Sequence, residues 1–123
     1  MIEGYVSDDG TPVIPLNLGQ RRLFAILDTG FNGGLDLPIA LKAELSGVFL
    51  GEFEAELAGG FIVKEDVYEI GIIFDGEERL VRTSFSDSTE ALIGTRLLKH
   101  HRLEIDFPSK TVRITRPPKI QQP

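Results

Sequence analysis

The chain has 123 residues, of which 41% are hydrophobic, with thirteen glycines, seven prolines and no cysteine. A chain of this length buries one hydrophobic core and is too short for two, and the missing cysteines exclude a disulfide scaffold, a thiolate nucleophile and a thiolate metal site. The net charge of −6, without a cluster of Lys and Arg, argues against a nucleic-acid-binding protein.

The first residues, Met1-Ile2-Glu3-Gly4, include neither the basic nor the apolar segment of a secretory signal. No apolar run approaches the length of about 18 residues that a membrane span needs. The expectation is a cytoplasmic protein without membrane contact.

The first part of the chain predicts three strands. Ile2–Val6 and Val13–Leu18 are rich in β-branched and apolar residues and flank the turn Asp8-Asp9-Gly10, which predicts a hairpin. The uninterrupted apolar run Leu23–Leu27 then predicts a strand that is buried on both faces. That strand leads directly into Asp28.

A short extended piece and a short helix are predicted next. Leu35–Leu37 predicts the extended piece, and Pro38 suits the first position of the helix. Gly47 is expected to end the helix. Three leucines share its core face: Leu37, Leu41 and Leu45.

The middle of the chain predicts two hairpins in succession. Residues 48–57 alternate mostly with a period of two, Gly59-Gly60 forms a turn, and residues 61–74 return as a long strand region. A second turn at Asp75–Glu78 leads to another strand. Ser84–Glu90 is polar and is expected to be a loop.

The last part predicts a short strand, a helix and a final hairpin. Ala91–Gly94 is a short apolar strand that ends on glycine, and Thr95–His101 predicts a helix with a basic last turn. Leu103–Phe107 and Thr111–Thr115 alternate cleanly and predict the hairpin. Residues 117–123 are expected to be a disordered tail.

The two histidines, His100 and His101, are adjacent and would point about 100° apart on a helix, so they cannot bind one metal together. They are interpreted as favourable charges at the helix C-terminus. No set of His, Asp and Glu has metal-ligand spacing, and neither a metal nor a cofactor is expected. No serine lies in a Gly-x-Ser-x-Gly turn, so a serine hydrolase has little support.

Asp28 is the strongest candidate for a reactive group. It follows an apolar strand and opens the turn Asp28-Thr29-Gly30, where a glycine N–H and a threonine hydroxyl are available. The alternative is an ordinary turn in which the Asp bonds its own backbone. Asp8-Asp9-Gly10 and Asp75-Gly76 lack the preceding apolar run and are interpreted as such ordinary turns.

Three elements in order resemble the retropepsin-type aspartic proteases, and in particular their small stand-alone bacterial members. They are the apolar strand ending in Asp28-Thr29-Gly30, the glycine-tipped hairpin, and Leu92-Ile93-Gly94 followed by a helix. The likeness covers residues 2–115. It implies an all-β, retropepsin-like half-barrel with one or two short helices, in a domain that spans residues 1–116.

The resemblance implies an aspartic endopeptidase that hydrolyses an extended peptide without metal or cofactor. This chemistry needs two carboxylates that share one proton across a water molecule. Because the chain holds a single Asp-Thr-Gly, the resemblance implies a two-fold homodimer in which Asp28 meets Asp28 of the other subunit.

The resemblance also implies roles for the neighbouring residues. The Thr29 hydroxyls would brace the two turns against each other, and the Gly30 N–H would hold the carboxylate. A flap at the hairpin tip would cover the substrate, and the Ile-Gly pair would pack under the catalytic turn. The residues expected to bind substrate are therefore Ala58, Gly59, Gly60, Ile93 and Gly94.

Two positions depart from the family's pattern. Retropepsins usually carry an Arg directly after the Ile-Gly pair, bonded to an acid four residues past the catalytic Asp; these positions are Thr95 and Asn32 here. An ion pair that supports the dimer is thereby lost. The dimer is expected to depend instead on contacts around Thr29 and on strand edges within Ile2–Val6 or Leu103–Ile114.

Two other functions stay open. A catalytically inactive member of the same fold would serve as a dimerisation or peptide-binding module, and a toxin-like or regulatory small β protein would tolerate replacement of Asp28. The state of assembly separates the first from the protease, because a monomer leaves Asp28 without its partner.

Overall fold

The computed structural model describes residues 1–118, so most of the predicted tail, residues 119–123, lies outside it. The described residues are predominantly β, which confirms the predicted all-β class. A 3-10 helix spans Ile39–Glu44, and a short α-helix, α1, spans Thr95–Leu98. The strands are β1 Ile2–Val6, β2 Pro12–Leu18, β3 Arg21–Leu27, β4 Leu35–Pro38, β5 Gly47–Glu56, β6 Ile62–Phe74, β7 Glu77–Ser86, β8 Ala91–Ile93, β9 Arg102–Asp106 and β10 Thr111–Thr115.

The strands form one sheet that closes on itself. Their order is β5-β6-β7-β4-β8-β3-β2-β1-β10-β9, and β2 also pairs with β6 where Asn17 faces Ile73. Six strands, from β6 through β7, β4, β8 and β3 to β2, therefore make a closed ring. β5 extends the sheet beyond β6 on one side, and β1, β10 and β9 extend it beyond β2 on the other.

The hydrophobic core fills the ring. Strand residues alternate between its interior and its outer face, as the period of a pleated strand requires. On β6, for example, Ile70, Ile72 and Phe74 are buried, whereas Ile73 is 46% exposed. Other strands and α1 contribute further buried side chains: Ile14, Leu16, Leu18, Ala25, Leu27, Leu35, Leu37, Val81, Ile93 and Leu97.

The prediction that Leu23–Leu27 is buried on both faces is wrong. Ala25 and Leu27 are buried, but Phe24 is 55% exposed and Ile26 is only half-buried. Among residues 1–118, no second layer of structure packs over the outer face of β3, so its apolar side chains stay accessible. Phe24 instead meets the ring of Tyr5 edge-on, with centroids 5.5 Å apart.

The predicted loop Ser84–Glu90 is partly wrong, because β7 continues to Ser86. β7 pairs with β4 in parallel, and the Ser84 and Ser86 hydroxyls donate to the two carboxylate oxygens of Asp36 on β4, at 2.8 and 2.7 Å. The polar side chains are therefore satisfied inside the sheet. Hydropathy along the chain does not reveal a partner that lies almost fifty residues away in sequence.

The helix after Pro38 forms as predicted, although as a single 3-10 segment that ends at Glu44. Gly47 does not terminate it, because Gly47 is the first residue of β5 and pairs with Ile70. The predicted core face of this helix is confirmed, because Leu37 is fully buried and Leu41 and Leu45 are half-buried against the core.

The predicted hairpins are confirmed, and the turns use the residues that the sequence indicates. Gly59 and Gly60 both have positive φ, +88° and +82°, and so do Asp75 and Gly76, at 50° and 77°. At Asp75-Gly76, which joins the paired residues Phe74 and Glu77, two successive residues in this conformation match the right-handed twist of the strands. Gly59 and Gly60 belong to a three-residue tip, which the Leu57 N–H closes on the Phe61 carbonyl.

The helix predicted over Thr95–His101 ends at Leu98, and His101 is not a favourable charge at its end. His101 is half-buried and packs edge-on against Phe74, with ring centroids 5.2 Å apart. Neither ring nitrogen has a hydrogen-bond partner within residues 1–118. Burial lowers the pKa of His101 below its ordinary value of 6.5; Arg79 and Arg116 lower it further, and Asp75 opposes them.

We expect this histidine to make the fold acid-sensitive. The unfolded chain binds the proton more readily than the folded one, so the free energy of unfolding is retained above about pH 6.5 and falls as the pH decreases through that value. Chemical denaturation at pH 7.5 and at pH 5 measures how much unfolding free energy is lost on acidification. This loss should be smaller in His101→Phe than in the wild type. His100→Phe, at an exposed position, should keep most of the wild-type loss, because the charge of His100 is the smallest of the contributions that lower the pKa of His101; equal losses in all three proteins would contradict this role.

Within residues 1–118, no helix combines the length and the apolar character that crossing a membrane requires.

Candidate functional site

Asp28 lies where the ring strands β3 and β8 end together. These strands are parallel, with Leu27 beside Ile93. The Asp28 N–H donates to the Ile93 carbonyl at 2.9 Å, which continues the pairing one residue beyond β3. The Phe31 N–H donates to the Asp28 carbonyl at 3.1 Å and closes the turn. The main chain at Asp28 is thus fixed on both sides.

The Asp28 carboxylate is half-buried and accepts a hydrogen bond from the Gly30 N–H, at 3.0 Å from Oδ1. This is the contact that the sequence predicts. An ordinary turn that opens with Asp makes the same bond. The hydrogen bond therefore orients the carboxylate but does not distinguish a catalytic acid from a structural one. The contacts between the turn and the rest of the fold are more informative about its role.

Three backbone hydrogen bonds tie the turn to the segment that follows β8. Gly94 donates to the Gly34 carbonyl at 2.9 Å, Thr95 to Phe31 at 2.9 Å and Arg96 to Gly33 at 3.2 Å. A Cβ at Gly94 would lie 2.1 Å from the Gly33 carbonyl oxygen and 2.6 Å from that of Phe31. Only glycine permits this approach, so the turn and the start of α1 form one rigid unit.

The two positions that depart from the retropepsin pattern lie at this junction. Thr95 directs both its N–H and, at 3.5 Å, its hydroxyl towards the Phe31 carbonyl, whereas Asn32 is exposed. Arg96, one residue further on, is exposed as well. Contacts from Thr95 to the Phe31 carbonyl thus connect the helix to the turn.

The predicted substrate residues fall into two groups, one buried beside the Asp28 turn and one exposed at a hairpin tip. Ile93 and Gly94 are adjacent to the turn but buried, so within one chain they support it from beneath. Ala58, Gly59 and Gly60 form the exposed tip between β5 and β6. The tip is closed by a hydrogen bond from the Leu57 N–H to the Phe61 carbonyl, at 2.7 Å.

An open groove of about 970 Å³ runs along the outer face of β3 and ends beside the loop before β8. Ile26, two residues before Asp28, is part of its wall, while Asp28 itself is not. Sequence reasoning missed this surface, because the apolar run Leu23–Leu27 predicts a strand that is buried on both faces. Its apolar walls are Val13, Leu23, Phe24, Ile26, Pro38, Ala40, Leu41 and Ala91.

Two acids on different strands influence each other: Asp36 on β4 and Glu65 on β6, the strands on either side of β7. Burial raises the pKa of the Glu65 carboxyl, and the charge of Asp36 raises it further. Asp36 is held by Ser84 and Ser86, as described above. No group of three or more His, Cys, Asp or Glu side chains within residues 1–118 is arranged to hold a metal ion.

No protein-family model matches this chain, and no curated protein sequence is significantly similar to it.

Proposed function

We propose that this chain is one half of a retropepsin-type aspartic endopeptidase, with a retropepsin-like half-barrel fold, and that it cleaves extended peptides as a homodimer. The observation that carries the proposal is the fixed position of Asp28 at the shared end of β3 and β8, with its turn bonded to Gly94 and Thr95. An Asp that only closes a surface turn can do so without pairing to a second strand and without hydrogen bonds from the start of a helix. Asp28 and its turn have both, from β8 and from α1.

The arrangement of the ring strands supports the proposed fold. β8 lies between β3, to which it is parallel, and β4, to which it is antiparallel. This placement joins the Asp28 turn to Ile93 and Gly94, two segments more than sixty residues apart. They are the segments on which the family resemblance rests.

The proposed chemistry needs a second carboxylate. Within residues 1–118, the hydrogen-bond partner of the Asp28 carboxylate is the Gly30 N–H and not another acid. A second copy related by a two-fold axis supplies Asp28 again. Because two carboxylates at close range do not both ionise readily, such a pair would hold one proton between them at acidic pH.

The reaction then proceeds by acid and base catalysis. The ionised carboxylate takes a proton from a water molecule, whose oxygen bonds to the carbon of the scissile carbonyl, while the protonated carboxylate donates its proton to the carbonyl oxygen. Collapse of the tetrahedral intermediate breaks the C–N bond: the departing amine takes the proton that came from water, and one hydroxyl of the intermediate returns a proton to the other carboxylate, which restores the singly protonated pair. The products are one carboxylic acid and one amine.

The groove along β3 supports a peptide substrate with apolar side chains. It continues from Ile26 along the outer face of β3 and has mostly apolar walls. The charged residues in its lining are three acids, Asp8, Asp9 and Glu90, and one base, Arg21, an excess of negative charge that disfavours a substrate with acidic side chains. Burial of apolar side chains in such a groove contributes about 25 cal/mol per Å² of surface removed from water.

Cleavage of a random peptide library, followed by mass spectrometry from pH 3 to pH 8, tests the proposed function. A pair of coupled carboxylates titrates in two steps, so we expect a bell-shaped profile with an acidic optimum. The specific activity should also rise with protein concentration, because the monomer holds half a site. A flat pH profile, or no cleavage at any concentration, would contradict the proposal. Binding of peptides without cleavage would favour the inactive peptide-binding module instead.

Thr29→Ala tests whether the turn contributes to the dimer. Thr29 is exposed, and its hydroxyl makes no hydrogen bond within residues 1–118, so the monomer should be as stable as the wild type. If the two hydroxyls bond across the dimer axis, the variant should dimerise more weakly by about 1 kcal/mol or more. Analytical ultracentrifugation measures this. Ser84→Ala, which removes a hydroxyl that bonds Asp36, is the control that should affect the monomer instead.

A further inference from the structure

Three arginines line one concavity between β7 and α1. They are Arg79, Arg82 and Arg96, and the concavity has a volume of about 250 Å³. Within residues 1–118, Arg21 and Arg116 form ion pairs with glutamates, whereas these three arginines form none. Guanidinium groups without a carboxylate partner are available to an anion from outside the chain.

The concavity arises from the way in which β7 is paired. β4 pairs with β7 only from Thr83 to Ser86, so it does not cover the preceding part of the strand. α1 contacts that part instead, because Arg79 Nη1 donates to the Leu97 carbonyl at 3.1 Å. The walls of the concavity therefore come from the first half of β7 and from α1.

Most N–H donors of these arginines are unused. Arg79 makes the one bond to Leu97, and the side chains of Arg82 and Arg96, both exposed, donate no hydrogen bond within residues 1–118. Arg82 lies over the Phe53 ring, with Cζ 5.7 Å from the centroid, a contact that does not consume its donors. Each guanidinium has five donors and can bind an oxyanion with two at once.

The charge of the lining fits a doubly charged anion. Three positive charges stand against one negative charge, that of Glu69, which faces Arg82 on the neighbouring strand. A phosphate monoester carries about −1.5 to −2 charges at pH 7 and presents three acceptor oxygens, whereas a carboxylate carries one charge. The excess of two positive charges therefore favours phosphate, although the chain as a whole has a net charge of −6.

An apolar surface adjoins the arginines. Leu80 also lines the concavity and is 72% exposed. It faces Gly71 on β6, which has no side chain to cover it, and Ile73 beside Gly71 is exposed as well. An apolar group next to a bound phosphate could bury this surface, which favours a phosphorylated peptide over a small phosphate ion.

We propose that Arg79, Arg82 and Arg96 bind a phosphate monoester, carried by a phosphorylated serine or threonine of a partner protein, with an apolar residue of that partner on Leu80. The inference goes beyond the proposed function and depends neither on Asp28 nor on the dimer.

Fluorescence polarisation in the Asp28→Asn protein tests the site without cleavage of the probe. The probe is a short labelled peptide with phosphoserine followed by leucine; the same peptide with serine or with glutamate in place of phosphoserine is the comparison. The phosphopeptide should bind at least about tenfold more tightly than either, and less tightly as the salt concentration rises. Inorganic phosphate should compete only at much higher concentration than the unlabelled phosphopeptide.

Single substitutions assign the binding to this concavity. Arg82→Gln and Arg96→Gln should each weaken binding of the phosphopeptide about tenfold or more. Arg102→Gln, which removes an exposed arginine on β9, should leave it unchanged. Glu69→Gln should strengthen it, because a like charge is removed from the lining. Circular dichroism checks that each variant is folded.

Three results would overturn the inference: a parent that does not bind the phosphopeptide, arginine variants that bind like the parent, or a glutamate peptide that binds equally well. Competition by inorganic phosphate at the same concentration as the phosphopeptide would overturn the assignment to a protein partner. None of these results bears on peptide cleavage by the wild type.

Discussion

Asp28→Asn should abolish peptide cleavage while the fold and the dimer persist. The amide can neither take a proton from water nor hold the shared proton, and acid and base catalysis of this kind contributes at least about 100-fold to the rate. The Asn side-chain oxygen can still accept the Gly30 N–H, as Asp28 Oδ1 does at 3.0 Å. The loss should therefore appear in kcat, measured with a peptide that the wild type cleaves, and not in the unfolding curve.

Asp87→Asn is the matched control, because Asp87 is exposed in the loop between β7 and β8. It makes the same chemical change and should retain full activity. Residual cleavage by Asp28→Asn at the wild-type rate would eliminate Asp28 as a catalytic residue.

Mixing Asp28→Asn with the wild type extends the test to the shared site. After subunits exchange at equal amounts, and at a total concentration where the dimer is saturated, about one quarter of the dimers hold two wild-type copies. Activity should fall to about that fraction of an all-wild-type sample. A fall to one half would mean that each chain acts alone.

Gly94→Ala should cause the largest loss of stability of any single methyl addition at this site. The new Cβ would lie 2.1 Å from the Gly33 carbonyl oxygen, and the obstacle is backbone that no rotamer change can move. Relief requires separating the Asp28 turn from β8, which breaks the bonds that Gly94 and Thr95 donate. We expect a loss of about 3 kcal/mol or more in the free energy of unfolding, at the upper end for point substitutions.

Gly71→Ala is the control for this substitution. Gly71 lies on β6, and the nearest atom to a Cβ there is in Leu80, at 3.9 Å, an ordinary contact. Denaturant titration of both variants should leave Gly71→Ala within about 1 kcal/mol of the wild type. Wild-type stability in Gly94→Ala would show that the turn and β8 are not held together as described.

Comparing Asp28→Asn with Gly94→Ala distinguishes a loss of the reactive group from a loss of the structure that positions it. Asp28→Asn removes a reactive group from an intact turn, whereas Gly94→Ala displaces the turn with its reactive group present. If the proposed function is correct, both lose activity, but only the second loses stability. Loss of stability in both would instead indicate that Asp28 has a structural role.

Much of the fold was predictable from local sequence, because strand alternation and turn residues act over short distances. The hairpins at Gly59-Gly60 and Asp75-Gly76 follow from residues that accept positive φ. The apolar run before Asp28 was read correctly as a strand, and the Gly30 N–H was expected to hold the carboxylate. These features need no knowledge of what packs against them.

The sequence-based predictions were wrong where contacts with residues far away in the chain determine the local structure or burial. Ser84 and Ser86 belong to a strand because Asp36 on β4 accepts their hydrogen bonds. Phe24 is exposed because no element of the described residues 1–118 covers the outer face of β3, and His101 is withdrawn from solvent because it packs on Phe74. Periodicity along the chain carries no information on such contacts.

The sequence by itself determined the all-β class, the turns and the choice of Asp28 as candidate, since each depends on neighbouring residues. Only the tertiary structure decided that Gly94 lies against the Asp28 turn and that β9 and β5 are the free edges of the sheet. Both depend on strand order, and strand order is determined by how the whole core closes into a ring and not by any one segment.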